Sequence, residues 1–244
     1  MTFEECRDYV TTAISRGVKA VYLTGGEPLL WSGLRDFLSW YYSLDTVLPL
    51  TILTNGTLIG TELAGYFKKF TSQGLTLRIS LECYTRENND DYRGTGSFVR
   101  ALQGIKNLNE QGIRPWIAYV NKSGGSLDCS GTTQLEEDFR SRLGREHGLE
   151  IAGLKIIAAY GKGRFTGEVD YPVVSTDRIS SGMTAVQCSY GIAISKNGTY
   201  PCPVLVDVPE AKLPYSLRDV VGASFTLDFD FCSSCFATGT RCGQ

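Results

Sequence analysis

Short apolar segments alternate with amphipathic segments along most of the chain, and this alternation constrains the fold more than any other feature. Five mostly apolar segments have the character of strands buried on both faces, at residues 18–24, 50–54, 75–81, 116–120 and 154–158. Apolar periodicity predicts helices between them, at residues 32–44, 61–72, 97–111 and 133–147. Strands that alternate with helices favour parallel pairing, so the sequence predicts an α/β fold with a parallel sheet.

A helix precedes the first of these strands. Thr2 and Glu5 have the spacing of a capping box, an apolar stripe that includes Cys6 follows, and Gly17 is placed to end the helix. Each helix of a (βα) barrel normally follows a strand. We therefore expect a partial (βα) barrel whose first strand is missing, in a chain that starts late.

The positions of the cysteines divide the chain into a body and a tail. Five of the eight cysteines lie in residues 188–244, together with four of the eight prolines. We predict a partial barrel at residues 1–160, a connection at residues 161–187 and a small cysteine-rich domain at residues 188–244. In that domain Lys196, Asn197 and Gly198 predict the turn of a hairpin between residues 191–195 and 199–202.

Charge and hydropathy exclude some classes of partner. The chain has 24 Lys and Arg against 26 Asp and Glu, a formal net charge of −2, which argues against nucleic acid and anionic membranes. No apolar run approaches the ~20 residues of a membrane-spanning helix, and the first residues lack the basic and apolar regions of a signal peptide. We therefore predict a cytoplasmic protein, in which clustered cysteines indicate a metal or catalysis rather than disulfides.

A glycine-rich turn follows the first predicted strand, with the sequence Gly25-Gly26-Glu27-Pro28. The glycines let a ligand approach the backbone closely, and the proline fixes the exit of the turn. Glu27 lies at the carboxyl end of a parallel strand, where barrel enzymes assemble their active sites. Taken alone, the turn is explained equally well as an ordinary strand-to-helix connection with a surface Glu.

Four segments at successive strand ends resemble a known family. LTGGEPLL at 23–30, LTNGTLI at 53–59, RISLE at 78–82 and DYRGTGSF at 91–98 resemble, in order and spacing, the strand-end motifs of radical SAM enzymes of the SPASM and twitch branch. The resemblance covers residues 1–157 as the barrel, and the cysteine-rich tail resembles the auxiliary-cluster domain of the same branch.

The resemblance implies a set of residues that contact S-adenosylmethionine: Gly25, Gly26, Glu27, Asn55, Ser80 and Arg93. In this family the glycines and the glutamate bind the methionyl amino group, while the serine and the arginine contact the carboxylate and ribose ends. These residue types suit a zwitterion, because Glu27 can accept from an ammonium and Arg93 can donate to a carboxylate. Each residue also has an explanation without a ligand: Ser80 as a strand-end hydroxyl, Asn55 as part of an ordinary Asn-Gly turn, and Arg93 as a solvated charge in a loop.

The sequence departs from the family in the motif that defines it. Radical SAM enzymes carry CxxxCxxC, three thiolates that hold a four-iron cluster, and no such triplet occurs in this sequence. Cys6 has no cysteine near it, and its place in the apolar stripe favours a core position over ligation. We therefore expect the chain to be a fragment, or a gene model begun at an internal Met, and to be inactive by itself.

The tail contains a second candidate metal site, formed by Cys188, Cys202, Cys232 and Cys235. Thiolates select zinc or iron-sulfur clusters. The wide gap between the first two cysteines argues mildly against a zinc ribbon, which usually has two close pairs. The order of the four resembles the ligands of the auxiliary four-iron cluster in a twitch domain, and Cys242 is then a spare or an alternative ligand.

The resemblance implies an enzyme that cleaves S-adenosylmethionine reductively and uses the 5′-deoxyadenosyl radical to take a hydrogen atom from a substrate. That substrate is a peptide or a small molecule, with peptide or protein modification as a family-level expectation and flavodoxin or ferredoxin as the electron donor. The alternative is a non-catalytic barrel remnant that serves as a binding module with a structural metal site. A zinc hydrolase lacks support, because no cluster of His and carboxylate residues offers an open metal site.

Overall fold

The structure of the protein is a computed structural model that describes residues 1–121, 129–158, 191–214 and 216–220, with residues 223, 229 and 232. Its described residues group into two compact units. One unit holds residues 19–120 and 129–156, and the other holds residues 1–18, 121, 157–158 and the described residues from 191 onward. The predicted connection at residues 161–187 lies outside the described residues.

Helices and strands alternate from the first helix to the fifth strand, except that two helices lie between the third and fourth strands. The helices are α1 (Phe3–Ser15), α2 (Leu34–Tyr41), α3 (Thr61–Thr71), α4 (Arg86–Arg93), α5 (Ser97–Glu110), α6 (Cys129–His147) and α7 (Leu217–Val220). The strands are β1 (Val21–Leu23), β2 (Leu50–Thr54), β3 (Leu75–Ser80), β4 (Trp116–Asn121), β5 (Gly153–Ala158), β6 (Ala193–Ser195) and β7 (Gly198–Tyr200). None of the helices in the described ranges has a stretch that is long and apolar enough to cross a bilayer.

Strands β1 to β5 form one five-stranded sheet in sequence order, and its first four strands pair in parallel. One face of this sheet is apolar and fully or almost fully buried, with Leu50, Ile52, Leu77, Ile79 and Ile117. The alternating residues Thr51, Thr76, Arg78 and Ser80 point to the opposite side, which we call the polar face. Because the strands run parallel, their carboxyl ends lie at one edge of the sheet.

The predicted α/β fold with a parallel sheet is confirmed. All five predicted strands are present, and β2 has the predicted bounds. The capping box of α1 is also present, since the Thr2 hydroxyl accepts from the Glu5 N–H and the Glu5 carboxylate accepts from the Thr2 N–H. Strand β1 is shorter than predicted because it pairs only through residues 21–23, at the edge of the sheet.

The hairpin predicted in the tail is formed by β6 and β7, which pair antiparallel with Ser195 opposite Gly198. A small apolar core lies against it and contains Ala193, Tyr200, Leu205 and Ala211. The turn therefore consists of Lys196 and Asn197. It is one residue shorter than predicted, because Gly198 pairs with Ser195 and is the first residue of β7.

Candidate functional site

The Glu27 carboxylate ties the end of β1 to the end of β2. Its Oε1 accepts hydrogen bonds from the Leu29 N–H at 3.1 Å and from the Thr54 hydroxyl at 2.6 Å. Its Oε2 accepts from the Asn55 N–H at 2.9 Å. The glutamate of the GGEP turn is therefore held by the next strand end and is not a free surface side chain.

The same turn keeps room for a ligand. A carboxylate has about four acceptor positions, and the Leu29, Thr54 and Asn55 donors occupy three of them. Gly25 has φ +140°, which side-chain-bearing residues rarely adopt, and a Cβ built at Gly25 or Gly26 would meet nothing within 4 Å. The side of the backbone on which a Cβ would stand is therefore open at both glycines, next to a half-buried carboxylate.

The loop after β2 is held by side-chain hydrogen bonds and is closely packed. The Asn55 side-chain oxygen accepts from the Thr57 N–H at 2.9 Å and from its hydroxyl at 2.7 Å, an Asx turn that occupies this oxygen. Gly56 has φ +75°, and helix α5 approaches so closely that a Cβ on Gly104 would lie 2.2 Å from the Gly56 carbonyl oxygen. Asn55 thus supports the site through its backbone N–H to Glu27.

Strand β3 ends at Ser80, and a buried carboxylate follows two residues later. The side chain of Glu82 is 4% exposed and forms an ion pair with the Arg93 Nη2. Its other oxygen accepts from the Val120 N–H at 3.1 Å, while its own N–H donates to the Asn89 side chain at 2.9 Å. Glu82 therefore joins the ends of β3 and β4 to the helix that carries Arg93.

Arg93 is the last residue of α4, and its side chain is 24% exposed. Its Nε is buried and has no hydrogen-bond partner among the described residues. Arg93 is consequently not a solvated charge in a loop, which was the alternative explanation from the sequence. Within the described chain, no hydrogen bond or ion pair joins Ser80 or Arg93 to Glu27 or Asn55. Asn55 follows β2 and Ser80 ends the neighbouring strand β3, whereas Arg93 ends helix α4.

The loop between α4 and α5 is fixed by Asp90. The Asp90 carboxylate accepts from the Gly96 N–H at 2.7 Å, the Ser97 hydroxyl at 3.0 Å and the Phe98 N–H at 2.8 Å. These bonds, that from the Phe98 N–H foremost, lower the pKa of Asp90 to about 2. The carboxylate thereby caps the amino end of α5 and fixes the backbone directly after Arg93.

Sequence reasoning missed Glu82 and Thr54 as parts of this site. Glu82 belongs to the matched segment RISLE and lies two residues beyond Ser80, which is the period of residues that share a face of a strand. A carboxylate at that position, eleven residues before Arg93, was a usable signal. Thr54 gave none, because its hydroxyl becomes relevant only once Glu27 is seen beside it at 2.6 Å.

Two of the four predicted cluster ligands, Cys202 and Cys232, are described, and both are half-buried. Cys202 packs against the small core of the hairpin, as does Phe229, whose carbonyl accepts from the Cys232 N–H at 2.8 Å. Cys188 and Cys235, with Cys242, lie outside the described residues. Within the described part, no three His, Cys, Asp or Glu side chains are grouped to hold a metal ion.

Cys6 lies in the core, as its place in the apolar stripe predicts. Its side chain is 7% exposed, and burial raises the pKa of the thiol to about 11. A metal ligand must be a thiolate, so this environment disfavours ligation by Cys6.

Comparison with known proteins identifies the family. The sequence model of the Radical SAM superfamily matches residues 1–123. The GTP 3′,8-cyclase of Alkaliphilus oremlandii is 29% identical over 169 residues, which are 68% of this chain and 50% of that protein. The Fe-coproporphyrin III synthase of Methanosarcina barkeri is 34% identical over 125 residues, 50% of this chain and 30% of that protein. The chain thus spans half or less of the length of these two curated relatives.

Solved structures share the fold. Streptococcus suis SuiB bound to S-adenosylmethionine superimposes with a TM-score of 0.59 at 19% identity, over 98% of this chain and 64% of that one. Native anSMEcpe with bound AdoMet and the Cp18Cys peptide gives a TM-score of 0.52 at 13% identity, over 88% of this chain and 70% of that one. Since the family model covers just over half of the 244 residues, this chain belongs to the radical SAM superfamily.

Proposed function

We propose that this chain forms the S-adenosylmethionine-binding part of a radical SAM enzyme that abstracts a hydrogen atom from its substrate. S-adenosylmethionine bound beside a reduced four-iron cluster supplies a 5′-deoxyadenosyl radical for that step. The observation that carries the proposal is the Glu27 carboxylate, which three donors hold in place beside the open backbone of Gly25 and Gly26.

The GGEP turn is suited to bind the methionyl ammonium. Glu27 keeps one acceptor position, and the open backbone of Gly25 and Gly26 adds neutral acceptors. Because the carboxylate is already oriented by Thr54 and Asn55, it loses little conformational entropy when the ammonium binds.

In this proposal Arg93 and Ser80 contact the carboxylate and ribose ends of S-adenosylmethionine. One guanidinium nitrogen of Arg93 is paired with Glu82, and the remaining nitrogens can donate to a carboxylate. Glu82 acts through Arg93 as a positioning residue, since it fixes one nitrogen of the fork and Asp90 fixes the loop that follows. Ser80 offers a half-buried hydroxyl at the end of β3.

We further propose that the tail holds an auxiliary four-iron cluster through Cys188, Cys202, Cys232 and Cys235. The packing of Cys202 and Phe229 on one apolar core supports this, because Cys232 is hydrogen-bonded to Phe229 and is thereby kept near the hairpin. The free energy of cluster binding would then contribute directly to the order of this small domain.

A peptide is the substrate class that we favour, because the matched anSMEcpe structure contains a bound peptide. A small molecule is the second candidate, since a cyclase that acts on GTP is among the relatives. Flavodoxin or ferredoxin is the proposed electron donor. The non-catalytic binding module remains the alternative from another class, and a CxxxCxxC encoded upstream in the same reading frame would exclude it.

Calorimetric titration with S-adenosylmethionine tests the binding site. We expect weak binding by the chain, a loss of affinity of at least fivefold in Glu27→Ala and a similar loss in Glu27→Gln, which keeps the shape of the side chain but not its charge. Glu110→Ala is the matched control, because Glu110 is exposed at the end of α5. Binding that is equally strong in Glu27→Ala and in the control would show that the cofactor lies elsewhere.

A further inference from the structure

A buried cation in the middle of the sheet has no partner of opposite charge in the part of the chain that the structure describes. Arg78 belongs to β3 and is 7% exposed. Its Nε and Nη1 are buried and have no hydrogen-bond acceptor among the described residues. The ion pairs found in the described chain do not include Arg78.

Such a group is costly to maintain. A guanidinium has five N–H donors and stays charged in proteins. Burial without acceptors therefore removes its hydrogen bonds to water without replacing them, which costs free energy of folding. Burial is the main reason that the pKa of Arg78 is lowered. The compensation from Tyr22 is small, because the guanidinium carbon lies 6.0 Å from the centre of that ring, at the outer limit of a cation–π contact.

The position of Arg78 relates it to the candidate site. It lies on the polar face, in register with Trp116 of β4, and two residues before Ser80 on the same strand. Two residues of a parallel strand span about 6.6 Å. Arg78 therefore lies one step deeper along the polar face than the strand-end site at Ser80. The buried acid beyond that end, Glu82, does not neutralise it because Glu82 is paired with Arg93.

We propose that Arg78 binds an oxyanion of the substrate, a carboxylate or a phosphate group, on the polar face of the sheet below Ser80. The assignment of the anion to the substrate rests on the proposed function, whereas the presence of an anion site at Arg78 does not. A planar guanidinium with unfilled donors matches the oxygens of either group. A peptide would supply a carboxylate, and a nucleotide would supply a phosphate.

Thermal unfolding with two probes, inorganic phosphate and acetate, tests the anion site. Each probe is titrated against sodium chloride of equal ionic strength, and affinity is taken from the rise of Tm with concentration. We expect at least one probe to raise the Tm of the wild-type chain, and the more effective probe identifies the kind of oxyanion. Arg78→Met should lower the affinity at least tenfold, and Arg78→Lys should lower it several-fold. Arg145→Gln, at an exposed position on α6, removes the same charge and should behave as wild type.

The ligand-free proteins distinguish a binding role from a structural one. If Arg78 is kept for a ligand, Arg78→Met should unfold at the same Tm as wild type or at a higher one, because an unpaired buried charge has been removed. A lower Tm in Arg78→Met, with the response to both probes unchanged, would show that the guanidinium is structural. An unresponsive wild-type chain would also overturn the proposal.

These measurements need neither S-adenosylmethionine nor a cluster. A wild-type chain that binds S-adenosylmethionine as expected but shows no response to either anion would therefore contradict the Arg78 proposal alone. Conversely, the anion response could depend on Arg78 while the affinity for S-adenosylmethionine is unchanged in Glu27→Ala. That outcome would contradict only the proposed function.

Discussion

The buried carboxylate of Glu82 is paired with the guanidinium of Arg93, at the junction of β3, β4 and the last turn of α4. The carboxylate also accepts from the Val120 N–H, and the backbone N–H of Glu82 donates to the Asn89 side chain, so the pair connects three neighbouring elements. The pair lies beyond the carboxyl end of β3, which is where the proposed contact of Arg93 with S-adenosylmethionine requires it.

Glu82→Gln should destabilise the protein by roughly 1–3 kcal/mol, because it leaves the partly buried arginine without its counter-charge. Glu62→Gln is the matched control, since the Arg35–Glu62 pair has side chains that are 49% and 85% exposed. Removal of that exposed pair should change the free energy of unfolding by only ~0–1 kcal/mol. Denaturant unfolding measures both variants, and equal losses would show that burial of Glu82 adds nothing to the pair.

Acid should weaken the loop that carries Arg93. The pKa of Asp90 is lowered to about 2 from its ordinary value of 3.8, so the unfolded chain takes up this proton at a higher pH than the folded chain does. The stabilisation is complete above the unfolded value, falls between pH ~4 and ~2, and is lost below the folded value. Asp90→Asn should flatten the dependence of stability on pH in that window, whereas Asp36→Asn, at an exposed position, should not. Parallel curves for wild type and Asp90→Asn would contradict the assignment.

The close approach of α5 to the loop after β2 predicts opposite effects for two helical glycines. Gly104→Ala places a Cβ 2.2 Å from the Gly56 carbonyl oxygen, whereas at Gly65 the nearest atom is the Gln111 Oε1, 3.9 Å away. We expect Gly104→Ala to destabilise by roughly 1–3 kcal/mol through overpacking. Gly65→Ala should stabilise by roughly 0.5–1 kcal/mol through helix propensity. Thermal unfolding of the two variants decides, and a stabilised Gly104→Ala would mean that the helix is free to move away from Gly56.

The fold could be predicted from the sequence because the five strands are short and mostly apolar and are separated by segments with helical periodicity. Helix α4 was not predicted, since the segment RENNDDYR has no apolar stripe and is held by the side chains of Asn89 and Asp90. Its stability comes from tertiary hydrogen bonds that no local pattern encodes.

The family motifs indicated Glu27, Asn55, Ser80 and Arg93 as contacts of S-adenosylmethionine, and that role stays a prediction. In the structure Asn55 follows β2 and Ser80 ends β3. Glu27 is hydrogen-bonded to Asn55, and Arg93 is paired with Glu82, two residues beyond β3. The hydrogen-bond and ion-pair partners of those residues could not be predicted from the sequence. The hydrogen bonds from Thr54 and Asn55 to Glu27 and the ion pair of Arg93 with Glu82 depend on which strands are neighbours.

The chain with the printed sequence should not produce 5′-deoxyadenosine from S-adenosylmethionine. Its cysteines include no CxxxCxxC, so the four-iron cluster that radical SAM chemistry requires lacks its three thiolates. Incubation with dithionite under nitrogen, followed by chromatography of the nucleosides, measures the product. A yield above that of a blank with reductant and free iron-sulfide alone would contradict this expectation.

Measurement of the iron content of cysteine variants tests the proposed cluster ligands in the tail. Four thiolates are enough to hold one cluster, and Cys188, Cys202, Cys232 and Cys235 supply them in the proposed arrangement, which leaves Cys242 as a surplus cysteine. After anaerobic reconstitution, Cys235→Ser should lose most of its iron, and Cys242→Ser should keep most of it. The order of the hairpin should follow the iron, because binding and folding of so small a domain are coupled. If Cys242→Ser loses the iron while Cys188→Ser or Cys202→Ser keeps it, the last cysteines form a different site and the auxiliary-cluster proposal is wrong.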